Sequence, residues 1–213
     1  MTITKRLALF CLIALILILS SSCTGSWQET SQEPAAESNP FASTVSTEGA
    51  IKIQINVTGY GLIEAELYPK VAQETVGNFT KLISEGFYDG LTFHRVMNDF
   101  MIQGGDPLGT GFGNSGTNIT GEFANNSFPN GLSHTRGVLS MARGGSDMNS
   151  ASSQFFIVQQ DATFLDGDYA AFGLVTKGME IVDSIAAEVP VEDDNGTVLA
   201  ANQPVIKSIV VLK

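Results

Sequence analysis

The run Phe93-His94-Arg95-Val96-Met97-Asn98-Asp99-Phe100-Met101-Ile102-Gln103-Gly104-Gly105-Asp106 sets one guanidinium, one carboxamide and several large apolar side chains in a short stretch that ends in a glycine turn. Arg95 offers a permanently charged, rigid fork of donors, and Gln103 offers both a donor and an acceptor. Beside an apolar floor, such a set can grip an apolar group and hold a fixed positive donor against a polar atom next to it. It supplies no nucleophile. If the run forms two short strands broken near Asn98-Asp99, alternation sends Phe93, Arg95 and Met97 to one face and His94 and Val96 to the other. Met101 and Gln103 then share a face, so Arg95, Met101 and Gln103 line one floor with Phe100 at its edge.

Further along lie Gly137-Val138-Leu139-Ser140-Met141-Ala142-Arg143, then Ser153-Gln154-Phe155-Phe156-Ile157, then Phe164-Leu165-Asp166-Gly167. Together with the first run, these ordered segments resemble the cyclophilin family of peptidyl-prolyl isomerases, whose signature reads F-H-R-V/I, a short connector, then F-M-x-Q-G-G-D. The resemblance covers most of the chain from Gly49 to Lys213. It implies a closed antiparallel eight-stranded β-barrel capped by two α-helices, and a catalyst of rotation about Xaa-Pro bonds in proline-containing polypeptides.

That reaction breaks no covalent bond and needs no cofactor and no metal; its barrier is amide resonance, about 18–20 kcal/mol. It calls for a pocket that holds the proline ring and for polar groups that favour the twisted amide over the planar one. By resemblance, Arg95 donates to the proline nitrogen as it regains its lone pair, and Gln103 orients Arg95 and the peptide. Phe100, Met101, Phe156 and Leu165 form the proline pocket, the Ala142 and Arg143 segment binds peptide backbone, and Gln154 lines a neighbouring groove beside Gly109 and Thr110. Many members carry tryptophan at Phe164, histidine at Tyr169 and asparagine at Arg143. Phe164 keeps an aromatic wall, Tyr169 still closes the pocket, and a second cation at Arg143 could favour acidic client segments. Taken singly, the apolar residues of this set are commoner as core, and Arg95 as a surface charge; their joint arrangement carries the functional reading.

Other chemistries find less support. No G-x-S-x-G turn is present, neither His94 nor His134 has a neighbouring Ser, Cys and Asp set recognisable in sequence, and no cysteine or carboxylate cluster stands at metal spacing, which suits structural roles. Gly111-Phe112-Gly113-Asn114-Ser115-Gly116 matches G-x-G-x-x-G, but no helix pattern follows it, so it reads as loop glycine and not a dinucleotide site. A net charge of −11 and the lack of a basic cluster exclude nucleic acid as the expected partner. A non-catalytic proline-peptide receptor or chaperone is the competing class.

At 213 residues with 43% hydrophobic content, the chain holds one domain and a modest extra segment. The 22 glycines and 13 phenylalanines suit a loop-rich β structure. Lys5 and Arg6 precede the apolar run Leu7 to Leu19, followed by Ser20-Ser21-Ser22-Cys23. That is the layout of an export signal, shorter than a membrane span. Cys23 resembles a lipobox cysteine, with Ser20 where leucine is usual, so residues 1–22 are expected to be a lipoprotein-type signal peptide cleaved before a lipidated Cys23. Residues 23–48, which include Trp27, read as a flexible acidic tether, and 49–213 as the isomerase domain. The expectation is an exported monomer, lipid-anchored to the cell membrane and facing outside the cytoplasm. Cleavage would leave nine basic residues against 22 acidic ones, a net of −13.

The elements that must position the site follow from periodicity. Ile51, Ile53, Ile55 and Val57 alternate with polar residues, and Gly59-Tyr60-Gly61 turns the chain back into Leu62 to Leu67. Val71, Thr75, Val76, Phe79, Leu82 and Ile83 keep helical spacing up to Gly86. Gly104 to Gly137 reads as long loops. Val138 to Met141, Phe155 to Val158, Ala171 to Val175 and Val205 to Leu212 read as strands. Met179, Ile181, Val182, Ile185 and Ala186 form one face of a second helix, and Val189 to Gln203 an acidic excursion.

Overall fold

The computed structural model describes residues 45–213; the signal segment, Cys23, Trp27 and most of the tether lie outside the described residues. The first hairpin pairs β1 (Ile51–Val57) with β2 (Gly61–Leu67), Ile51 opposite Leu67. The helix α1 (Gln73–Ser84) follows, with Gly86 beyond its end at φ +67°. Its own N-cap, Ala72, offers no side-chain acceptor. The buried Glu122 carboxylate serves instead, accepting from the backbone N–H groups of Glu74 at 3.0 Å and Thr75 at 2.8 Å.

Next come β3 (Thr92–Met97) and β4 (Met101–Asp106), joined through Asp99 at φ +61°, a conformation Asp tolerates better than most residues. After the long loop stand β5 (Val138–Met141), β6 (Phe155–Val158) and β7 (Ala171–Lys177), then α2 (Met179–Glu188) and β8 (Ile206–Val211). All pairings are antiparallel, in the order β3-β4-β6-β5-β7-β2-β1-β8.

The sheet curls but does not close as a continuous ladder, contrary to the barrel the resemblance implies. Its end strands meet at the single bridge Thr92 to Val205, supported by backbone bonds between Phe93 N–H and the Pro204 carbonyl and between Ile206 N–H and the Leu91 carbonyl. Pro204 has no N–H to give, so the ladder stops there. The free edge of β3 is covered by the acidic excursion: Val96 N–H donates to the Gly196 carbonyl and Val198 N–H to the His94 carbonyl, both within 3.0 Å.

Two apolar clusters occupy the two faces. The face that carries the helices packs Phe79 of α1 among Tyr88, Phe155 and Phe172, with ring centroids 4.9–5.2 Å from Phe79. Tyr88 donates its hydroxyl to the Ser153 carbonyl. On the opposite face Met101, Val138, Phe156, Val158, Leu165 and Ala171 form a second cluster, and this is the face that carries the cavity described next.

Candidate functional site

Cross-strand register builds the site. Arg95 of β3 sits opposite Gln103 of β4, Gln103 opposite Phe156 of β6, and Phe156 opposite Ser140 of β5. Directly paired residues project to one face, so a guanidinium, a carboxamide and an aromatic ring line up across three neighbouring strands. Simple alternation along β3 does not produce this. The register shifts between Phe93 and Arg95, leaving His94 as an extra residue. Phe93 and Val96 therefore pack in the helix-side core, while Arg95 and Met97 face the opposite way; the expectation that Phe93 shares a face with Arg95 is corrected by that bulge.

A cavity of about 220 Å³ opens on this row, lined by Arg95, Phe100, Met101, Gln103, Ala142, Arg143, Phe156, Leu165 and Tyr169. Met101 and Phe156 are almost wholly buried and form its floor. Phe100 is fixed by its own backbone, its carbonyl accepting from the N–H groups of Gln159 and Gln160. Leu165 sits in a short 3-10 turn, Thr163–Leu165.

Arg95 is held from two sides. Its Nη1 donates to Gln103 Oε1 at 3.2 Å, and the guanidinium rests against the sulfurs of Met97 and Met101. From the far side Asn195 accepts from Arg95 Nε through its carbonyl at 2.7 Å and from Nη2 through its side chain at 3.2 Å. Asn195 belongs to a tight turn in which the Asp193 carboxylate accepts the N–H groups of Asn195 and Thr197 and the Thr197 hydroxyl. Burial pulls the Arg95 pKa below the ordinary arginine value, yet a guanidinium stays charged across the physiological range. Gln103 in turn donates to Gln154 Oε1 at 2.9 Å, and Gln154 donates to the Gly111 and Gly113 carbonyls.

Comparison with known proteins identifies the family. The family model described as cyclophilin type peptidyl-prolyl cis-trans isomerase/CLD matches residues 51–211. The chain belongs to the cyclophilin-type peptidyl-prolyl cis-trans isomerase family. Peptidyl-prolyl cis-trans isomerase B of Bacillus subtilis is 47% identical over 135 residues, spanning 61% of this chain and 90% of that protein. The peptidyl-prolyl cis-trans isomerase of Helicobacter pylori is 45% identical over 130 residues, 60% of this chain and 76% of that one. Among solved structures, a Cryptosporidium parvum cyclophilin-type isomerase crystallised in the presence of the dipeptide Ala-Pro is 31% identical, with a TM-score of 0.66 over 76% of this chain and 99% of that one.

The remaining residues singled out in this cyclophilin-type chain lie around the cavity without lining it. Phe164 is 73% exposed and leans on Phe100, the rings tilted by 35° with centroids 5.5 Å apart. Gln154 is reached through Gln103. Gly109 accepts at its carbonyl from Gln203 Nε2, and Thr110 donates its N–H to the Asp106 carboxylate.

Arg143 is more constrained than a free groove cation. Its guanidinium lies between the rings of Phe123 at 5.2 Å and Tyr169 at 4.9 Å, and it donates to the carbonyls of Asp168, Gly144 and Gly145. These carbonyls and rings fix the guanidinium without neutralising its charge. What the cation does hold is Tyr169, whose ring meets Phe156 edge-on at 6.0 Å.

Behind Phe156 stands His134, stacked on it at 6.0 Å. Its ring nitrogens bond Asp166 Oδ1 at 2.8 Å and Ser140 Oγ at 2.9 Å, an Asp-His-Ser set not recognisable in sequence, with Ser140 wholly buried. Burial, the dominant influence, pushes its pKa below the ordinary 6.5, against the pull of Asp166. His94 is buried too, and neither ring nitrogen finds a hydrogen-bond partner among the described residues. Burial likewise lowers its pKa, with Asp106 opposing. The unfolded imidazoles take up protons near pH 6.5, the folded ones only at lower pH, so stability present above that value is lost as pH falls. Urea unfolding at pH 7.5, 6.0 and 5.0 should show a falling midpoint, the unfolding free energy dropping by up to about 1.4 kcal/mol per pH unit for each imidazole still neutral in the fold. A midpoint independent of pH would contradict this.

Asn195 is the contact to Arg95 that sequence reasoning missed; Met97 is already expected on the same face. The Asp193-Asp194-Asn195-Gly196 run announces a turn, but nothing local says that the turn reaches a residue a hundred positions earlier.

Proposed function

We propose that this chain accelerates cis-trans rotation of Xaa-Pro bonds at the cavity beneath Arg95. The observation that carries the reading is a cationic fork fixed by Gln103 and Asn195 directly over an apolar cup. The proline ring enters the cup formed by Phe100, Met101, Phe156 and Leu165, with Phe164 and Tyr169 as outer walls. The peptide backbone lies along Ala142 and Arg143, and Gln154 with Gly109 and Thr110 borders the groove beyond. As the amide twists, its nitrogen regains a lone pair that the planar form lacks. Arg95 donates to that nitrogen, so the bond strengthens in the transition state and lowers the barrier selectively. A charged hydrogen bond contributes about 1.5–3 kcal/mol, or roughly ten- to a hundredfold in rate. Ring capture and desolvation of the amide supply the remainder. A protease-coupled assay on a short Xaa-Pro peptide tests the reading: the slow phase should quicken in proportion to added protein, and a slow phase that ignores it would leave only a peptide-binding module.

The site is read as acting, as a monomer, on exported polypeptides. Lys5, Arg6, the apolar run to Leu19 and Cys23 support an N-terminal signal with a lipidated cysteine, which would tether residues 49–213 to the outer side of the cell membrane through residues 23–48. Replacing Cys23 by Ser and fractionating the cells should move the protein from the membrane fraction to the soluble one; a variant that stays with the membrane as fully as wild type would remove the anchor.

A further inference from the structure

Resting on that reading of the Arg95 cavity, we propose that Phe112 is a specificity element that favours clients carrying a large apolar side chain within three residues of the proline. Phe112 is 89% exposed, the most exposed large apolar side chain among the described residues, and it makes no ring contact there. A ring left in water is common at a loose loop tip, but this loop is tied down on both sides. The carbonyls of Gly111 and Gly113, its two chain neighbours, both accept from Gln154 Nε2, at 3.0 and 2.8 Å. The Asp106 carboxylate accepts the N–H groups of Leu108, Thr110 and Gly111 from below. At Gly113 a side chain would run into that same carboxylate, so the close approach of the loop to Asp106 requires glycine.

The anchor that fixes Phe112 is continuous with the reaction site. Gln154 accepts from Gln103, which accepts from Arg95, so three hydrogen-bonded steps join the guanidinium to the carbonyls on either side of Phe112. An extended client advances about 3.3 Å per residue, so a chain whose proline sits in the cup reaches this loop within a few residues. The surface it meets is uncharged: residues 107–121 contain no Asp, Glu, Lys or Arg, and Leu108, on the same loop, is 67% exposed. A fixed ring on a neutral rim removes apolar area from water when a client side chain lies on it, at little cost in ordering. Its fitting occupant is a large apolar side chain of an unfolded client segment.

The test uses two series of proline peptides, differing only in Phe, Leu or Ser at each of three positions before and after the proline. Exchange by NMR avoids any protease preference. At one or more positions wild type should turn over the apolar peptide with kcat/KM about three- to tenfold above the Ser peptide. Phe112→Ser should bring that ratio close to one, and Phe112→Tyr should keep most of it. A ratio near one in wild type at every position, or a ratio that survives in Phe112→Ser, would overturn the proposal while leaving the isomerase reading in place. So would sedimentation showing that Phe112 instead joins two copies of the chain. A wild-type protein that accelerates none of the peptides overturns both.

Discussion

Replacing Arg95 by alanine should lower kcat/KM on an Xaa-Pro peptide by about ten- to a hundredfold, the equivalent of one charged hydrogen bond made in the transition state. The fold should hardly notice. Arg95 is half-buried, and its partners Gln103 and Asn195 keep other anchors: Gln103 still donates to Gln154, and the Asn195 turn is still closed by the Asp193 carboxylate. Arg95→Lys should recover little of the rate. An ammonium keeps the charge but cannot bond Gln103 and both oxygens of Asn195 from one rigid plane. A protease-coupled assay beside a thermal melt checks the pair of effects, and an alanine variant within twofold of wild type would count against Arg95 as the acting group.

Phe156→Ala should act on stability and turnover together. The ring is buried in the sheet face below Arg95, stacked on His134 and met edge-on by Tyr169. Truncating a buried Phe costs about 3–5 kcal/mol through lost transfer energy and the space left behind. For a chain of this size that lowers the melting temperature by roughly 6–20 °C. The same truncation removes the floor of the cup and frees the wall at Tyr169, so KM should rise in the fraction that remains folded. Phe156→Leu should restore most of the melting temperature and less of the KM, because a smaller side chain fills volume without presenting a flat ring. A melting temperature unchanged in Phe156→Ala would show that the ring is not part of the packed face.

Much of this arrangement was legible from residue order. Alternation in Ile51–Val57 and the Gly59-Tyr60-Gly61 turn announce the first hairpin. The spacing of Val76, Phe79, Leu82 and Ile83 announces α1, and Met179 to Ala186 announces α2. The cavity residues came from matched motifs; no periodicity assembles Phe100, Phe156 and Leu165, which lie far apart in sequence. Period-two reasoning failed at His94 because it assumes an unbroken register, and a single extra residue turned Arg95 away from Phe93. Closure failed at Pro204, where a missing donor interrupts the end strands. The hold of Asn195 on Arg95, of Glu122 on the start of α1 and of Phe123 and Tyr169 on Arg143 are contacts between distant segments that only the folded chain brings together.

The role of Arg95 is tested most directly by exchange NMR of one Xaa-Pro peptide with wild type and with Arg95→Ala, because the same spectra give the dissociation constant and the rate of interconversion on the enzyme. If the guanidinium acts on the twisted amide, interconversion slows about ten- to a hundredfold while the dissociation constant moves by no more than a few-fold. An unchanged rate of interconversion, with the whole deficit appearing as weaker binding, would instead make Arg95 a peptide anchor and contradict its part in the chemistry.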